Sequence, residues 1–139
     1  MMEKTLVLIK PDAVAKHYTG DIIKRYETEG LCILAMKMLK MTKELAAKHY
    51  IEHLGREYYG DLEEFITSAP LIAMVLKGEN AVARVREING KTDPDKADDG
   101  TIRRQFAESM RCNAVHASDS LENANREIHI FFNETEIYD

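Results

Sequence analysis

Short apolar runs set the strongest limit on what this chain can fold into. Residues 5–9, 31–39 and 71–76 are each far shorter than the about 18 apolar residues a membrane span needs, and breakers or charges bound them. The first is β-prone and stops at Lys10-Pro11, because proline cannot donate to a strand ladder. The second alternates: Cys32, Leu34, Met36 and Met38 fall on one side, Ile33, Ala35, Lys37 and Leu39 on the other. It reads as a largely buried strand. The third closes at Lys77-Gly78, and residues 113–117 give a brief fourth strand.

Helical patterns separate these runs. Residues 20–29 carry Ile22, Ile23 and Tyr26 on one face, with Gly30 as the stop. Thr42 is placed to cap a helix running to about His53, which Gly55 breaks. Asp61 and Glu64 open a short helix that ends before Pro70. Asn80 caps a helix whose stripe is Ala81, Val82, Val85 and Ile88, and residues 101–110 form a short helical turn. The last helix, residues 120–132, turns Leu121, Ala124, Ile128 and Phe131 inward, and a polar tail follows. Residues 89–100, with an Asn-Gly, a proline and four aspartates, form a loop long enough to suggest function. Strands alternating with helices predict an α/β (α+β) sandwich, a sheet with helices on one face. No repeat or linker divides it, so residues 1–139 are expected to form a single domain.

Composition narrows the function. Of 139 residues, 45% are apolar and 31% charged, which excludes a disordered chain. Nineteen Lys plus Arg against 24 Asp plus Glu gives a net charge of -5, so a general nucleic-acid footprint is not expected. One basic cleft remains compatible with that balance. Two cysteines, Cys32 and Cys112, lack metal-ligand spacing and read as reduced thiols. With no leader pattern before the first strand and no membrane span, the expected location is the cytoplasm.

No P-loop, Rossmann, HExxH or GxSxG pattern is present. Of the five histidines, His17, His49, His53 and His129 sit among charged residues and read as solvated. His49 and His53 have metal-pair spacing but no third ligand nearby. His116 stands apart, at a strand end and followed by Ser118-Asp119-Ser120 at a helix start. Neutral imidazole is a good nucleophile near pH 7 once a partner fixes its tautomer. Glu127 is the candidate partner, with Asp119 and Ser120 near the same turns; a capped helix beside a structural histidine is the other reading. Lys10, Arg86, Arg103 and Arg104 sit at element ends or beside the long loop, which Thr92 and Thr101 bracket. Converging on one cleft, they would neutralise a polyphosphate without a P-loop; scattered, they would only be solvated.

The segment Asn113-Ala114-Val115-His116-Ala117-Ser118-Asp119-Ser120 resembles the N-x-x-H-G-S-D-S signature of nucleoside diphosphate kinases. Leu8-Ile9-Lys10-Pro11-Asp12-Ala13-Val14 is similar to that family's opening I-K-P-D-G-V, and His49-Tyr50 matches its tyrosine segment. Pro70 to Met74, Thr92-Asp93-Pro94 and Gly100-Thr101-Ile102-Arg103 follow in the family's order, so the likeness spans essentially the whole chain. The resemblance implies a ferredoxin-like βαββαβ fold, a four-stranded antiparallel sheet covered by helices. It implies transfer of a γ-phosphoryl group from a nucleoside triphosphate, mainly ATP, to a nucleoside diphosphate by a ping-pong route. His116 would be the nucleophile, oriented by Glu127, which Ser118 supports. Lys10, Tyr50, Arg86, Thr92, Arg103 and Asn113 would contact phosphates and sugar, with Lys10 and Tyr50 also serving catalysis. Tyr58 and Met110 would sandwich the base beside Leu62, a clamp tolerant of every base. Mg²⁺ would arrive on the nucleotide, with no direct protein ligand.

The resemblance further implies a homo-oligomer, a tetramer or hexamer built from dimers, and the short C-terminus looks like a bacterial form. Neither a membrane nor a specific nucleic acid is an expected partner. Ala13, Ala69 and Ala117 replace family glycines, and Tyr58 and Tyr59 stand where phenylalanines are usual. Ala117 in place of glycine predicts a negative φ there. An intact-looking set of His116, Glu127, Lys10, Arg86 and Arg103 argues against a non-catalytic nucleotide-binding module of the same fold.

Overall fold

The computed structural model describes residues 1–139. Its sheet has four strands: β1 (Met2–Ile9), β2 (Cys32–Leu39), β3 (Leu71–Glu79) and β4 (Val115–Ala117), in the order β2-β3-β1-β4. Every pairing is antiparallel. This is the ferredoxin-like arrangement expected. β1 and β3 lie at the centre, with Leu6, Val7, Leu8 and Ile9 fully buried.

The helices are α1 (Pro11–Ala15), α2 (Thr19–Thr28), α3 (Lys43–His49), α4 (Tyr59–Ile66), α5 (Ala81–Asn89), α6 (Ile102–Phe106) and α7 (Leu121–Phe131). They cover both faces of the sheet, not one as the sequence reading had it. Strand alternation sends Val7, Ile9, Met74, Leu76 and Val115 to one face, against Ala13, Ile22, Tyr26, Val85 and Ile102 of α1, α2, α5 and α6. Leu6, Leu8, Ala73 and Val75 go to the other, against Ala46, Ile66, Ile128 and Phe131 of α3, α4 and α7. Both faces of the central strands are apolar, so both demand a cover.

Local chemistry explains most boundaries. Thr42, Thr101 and Ser120 each accept a backbone N–H and cap α3, α6 and α7. α1, missed in the sequence, starts with Pro11 at its first position, where the absent N–H is harmless. Asn80 does not cap α5 with its side chain; it sits in the left-handed region at φ 50, and Glu3 accepts the Val82 N–H instead. β3 runs past Gly78 to Glu79, and Leu121 is 39% exposed rather than inward.

β2 is an edge strand with a bulge at Leu34, so its strict alternation fails. Met36 and Met38 end up exposed, at 52% and 59%. The tail is docked, not free: Tyr138 N–H donates to Leu34 O, and Asp139 pairs with Lys4 and Lys77. Those two ammonium groups, hydrogen-bonded to the Asp139 carboxylate, hold it at a pKa of about 2. No helix is long and apolar enough to cross a membrane.

Candidate active site

The site forms where β4 meets the C-terminal end of β1 and the N-terminal turns of α7. His116 pairs with Leu8 across the ladder, which turns its side chain to the face covered by α3 and α7. There its Nε2 lies 2.9 Å from Glu127 Oε1, and Ser118 Oγ donates to the same oxygen at 2.7 Å. Ser118 and Glu127 are buried, at 0% and 5% exposure. A carboxylate accepts, so the imidazole carries its proton on Nε2 and presents Nδ1 as a lone pair. Arg126 stands 3.5 Å from the other Glu127 oxygen, a neighbour the sequence reading did not name. Asp119 is elsewhere engaged: Asn123 Nδ2 donates to it at 2.6 Å, and that bond lowers its pKa.

The strand carrying His116 is pinned from the other side. Lys10 N–H donates to Ala114 O, and Asp12 Oδ2 accepts the Ala114 N–H at 3.1 Å. Ala114, not Ala117, holds the positive φ, 72°, a costly conformation for alanine that these bonds help to maintain. Ala117 lies in the regular ladder opposite Val7, as its side chain prefers. Asn113 Oδ1 accepts from Lys10 Nζ at 2.8 Å, and its amide donates to Thr92 O. One turn thus ties the first strand, the long loop and the histidine strand together.

Lys10 is nearly enclosed, and burial with Arg103 nearby pushes its pKa down to about 8. Arg103 bridges Gly90 O at 2.7 Å and Val115 O at 2.9 Å, while its Nε has no partner. Burial brings its pKa down to about 10. Arg104 turns away to the carbonyls of Pro94 and Asp95, and its expected place in the cationic cluster is not realised. Thr101 likewise serves as a helix cap.

Lys10, Tyr50, Arg86, Thr92, Arg103, Asn113, His116 and Glu127 line one hollow of about 330 Å³. Tyr58, Leu62 and Met110 line an adjoining one of about 420 Å³, which shares Lys10, Tyr50, Thr92, Asn113 and His116 with the first. Every residue that the family resemblance implies for the site therefore borders this double cleft, except Ser118, which reaches it through Glu127. The Tyr50 hydroxyl is buried without a partner, and burial raises its pKa.

His49 is the main correction. It is 4% exposed, not solvated, and its ring meets His116 edge-to-face with centroids 4.5 Å apart. Burial, then the neighbouring His116 and Lys10, keep it neutral by lowering its pKa well below the usual value. The helical spacing Ala46, His49, Tyr50 carried the signal, since the first and last of these are core residues. No His49–His53 pair forms; His53 Nδ1 bonds the Tyr58 hydroxyl at 2.6 Å.

A half-buried imidazole paired with a buried carboxylate and facing several cations is an arrangement suited to phosphoryl transfer. Comparison with known proteins agrees with that class. The family model "Nucleoside diphosphate kinase" matches residues 3–137, and this chain belongs to the nucleoside diphosphate kinase family. The nucleoside diphosphate kinase of Nitratiruptor sp. is 57% identical over 136 residues, covering 98% of this chain and 99% of that one. That of Methanocaldococcus jannaschii is 51% identical over 139 residues, covering 100% and 99%. Among solved structures, the Aquifex aeolicus nucleoside diphosphate kinase superposes with a TM-score of 0.96 at 44% identity, covering 99% of each chain. The Halobacterium salinarum nucleoside diphosphate kinase, solved in complex with CDP, gives 0.96 at 39%, covering 100% of this chain and 93% of that one.

Proposed function

We propose that this kinase moves the γ-phosphoryl group of a nucleoside triphosphate, mainly ATP, onto a nucleoside diphosphate through phosphorylated His116. The observation that carries this reading is the Nε2–Glu127 contact of 2.9 Å, which leaves Nδ1 as the free lone pair. In the first half-reaction Nδ1 attacks the γ-phosphorus, the bond to the bridging β-oxygen breaks, and the diphosphate leaves with those electrons. The Nε2 proton stays against Glu127, whose charge balances the imidazolium formed. In the second half-reaction a diphosphate oxygen attacks the phosphohistidine and Nδ1 recovers its lone pair. Lys10, Arg86 and Arg103 spread the charge of a loose transition state, while Tyr50, Thr92 and Asn113 bind the phosphates and sugar. Tyr58 and Met110, with Leu62, clamp the base.

Mg²⁺ would come as part of the substrate and would supply positive charge to its phosphates. The donor set fits that role: Glu127 is occupied by His116 and Ser118, and Asp119 by Asn123, so no pair of free carboxylates waits for the ion. We read residues 1–139 as one domain, because the site draws on both ends of the chain. The exposed Met36 and Met38 on an edge strand suit a homo-oligomer, a tetramer or hexamer built from dimers. Free Cys32 and Cys112 suit the cytoplasm.

Intact mass after brief exposure to MgATP tests the reading. One acid-labile phosphoryl group, absent in His116→Asn and discharged by GDP, is expected. ATP binding with no adduct would overturn it in favour of a non-catalytic nucleotide module.

A further inference from the structure

The proposed reaction uses one nitrogen of His116 and leaves His49 without a task. Both ring nitrogens of His49 are buried and neither has a hydrogen-bond partner. A polar ring enclosed in this way is costly unless something satisfies it. Phenylalanine would fill the same space among Tyr50, Phe131 and His116 without that cost.

His49, His116 and Glu127 each offer a ligand atom, all within 4.8 Å of one another. Two imidazoles and a carboxylate are the donor set of many zinc sites, and Ser118, bonded to Glu127, is the supporting donor such sites commonly have. We propose that these three residues form a capture site for a first-row divalent ion of the zinc–cobalt type, separate from the Mg²⁺ of the nucleotide, and that its occupancy switches phosphotransfer off. The switching half rests on the proposed role of His116; the binding half does not.

The chemistry favours nitrogen-seeking ions. Mg²⁺ demands oxygen ligands, so the site ignores the ion present in excess. A ligand must be neutral to donate its lone pair, and the two nitrogens of His49 stand buried with no hydrogen bond to give up. The ion takes the place of the proton between His116 Nε2 and Glu127: that N–H bond breaks, its proton passes by way of solvent to Nδ1, and a metal–nitrogen bond forms. The ligand atoms of a tetrahedral ion with bonds of about 2.0–2.1 Å sit roughly 3.3 Å apart. His116 Nε2 and Glu127 Oε1 are already at 2.9 Å, so the closure required falls on His49. With Nε2 on a dication, Nδ1 carries the ring's proton and has no lone pair for attack, and Glu127 no longer balances an imidazolium. Lys10 and Arg126 oppose a dication here, which makes the ion removable rather than structural.

Co²⁺ without nucleotide is the probe, because its tetrahedral absorption bands report coordination directly. One equivalent of Co²⁺ is expected to give such bands, and Zn²⁺ to erase them. His49→Phe and His49→Asn should both lose the bands, whereas His53→Gln should keep them. Protein loaded with Zn²⁺ before mixing with excess MgATP should form the phosphoenzyme at least tenfold more slowly, with recovery on zinc chelation. His49→Phe should form it at an undiminished rate and resist zinc. Absence of bands in the unaltered protein, or bands retained in both His49 variants, overturns the site. Bands with an unchanged phosphorylation rate overturn the switch. If the metal-free protein makes no phosphoenzyme at all, the reading of His116 has failed, and the Co²⁺ bands still judge the site on their own.

Discussion

The two ends of the double cleft are built to different standards. At the proposed phosphate end Lys10, Asn113, Ser118 and Glu127 are buried, and each is held by a hydrogen bond to another of these residues. At the proposed base end Tyr58 is 44% and Met110 60% exposed. Phosphoryl transfer needs reacting atoms placed to within fractions of an ångström, so its groups must be locked before substrate arrives. A base needs only two faces to lie between, so its walls can stay loose. The contrast teaches that this chain encloses the groups proposed to serve the phosphate, which all nucleotides share, more fully than the walls proposed for the base.

The largest break in that contrast comes from the proposed nucleophile. His116→Asn keeps a polar group in the same space, and phosphotransfer is expected to fall by on the order of 10⁴-fold or more. Melting temperature should change little, because Glu127 keeps Ser118. Arg103→Ala comes next, at about 2–4 kcal/mol in kcat/KM if it steadies the transition state. That variant also frees Gly90 O and Val115 O, so stability must be measured beside rate.

The pH dependence of Lys10 sharpens the comparison. Its folded pKa is lowered from 10.5 to about 8, so its charge is lost as pH rises through about 8. Phosphate binding should therefore weaken above that pH, approaching tenfold per unit, and nucleotide binding near pH 8 should take up protons. Calorimetry in two buffers of different ionisation heat measures that uptake. The sign for stability is opposite. Between about 8 and 10.5 the unfolded chain holds a proton that the folded chain has released, so this group favours folding more as pH rises. Ser118→Ala removes one donor from a buried carboxylate, with an expected cost of about 1 kcal/mol in kcat and little change in KM.

The legible parts of this molecule were those written locally. Pro11, Thr42, Ser120 and Gly30 marked element ends because caps and breakers act within a few residues. The His116–Glu127 pair was legible from spacing, since a strand end and the second turn of the following helix face each other. What escaped depended on neighbours distant in sequence. Whether helices cover one face or two depends on how α1, α2, α5 and α6 cross the sheet, which no single helix pattern states. His49 looked solvated because charged residues adjoin it in sequence, while its neighbours in space are Tyr50, His116 and Phe131. The bulge at Leu34 and the docking of Asp139 are likewise agreements between segments, invisible from either alone.

The smallest effects belong to the base end, and they test the comparison most closely. Tyr58→Ala removes one wall of an exposed clamp, where stacking contributes about 1 kcal/mol, near the low end of its range. Its cost should appear in KM for every nucleoside diphosphate alike and leave single-turnover phosphorylation at saturating ATP unchanged. Tyr58→Phe keeps the ring and loses only the hydroxyl bonded to His53 Nδ1, so its effect should be smaller still. Adenine, guanine, cytosine and uracil substrates, assayed side by side, should shift together, because a π-face is common to all. A loss confined to one base would mean that the Tyr58 hydroxyl, or His53 behind it, reads a base edge. The base end would then be a specificity site, and the division of labour between the two ends would fail.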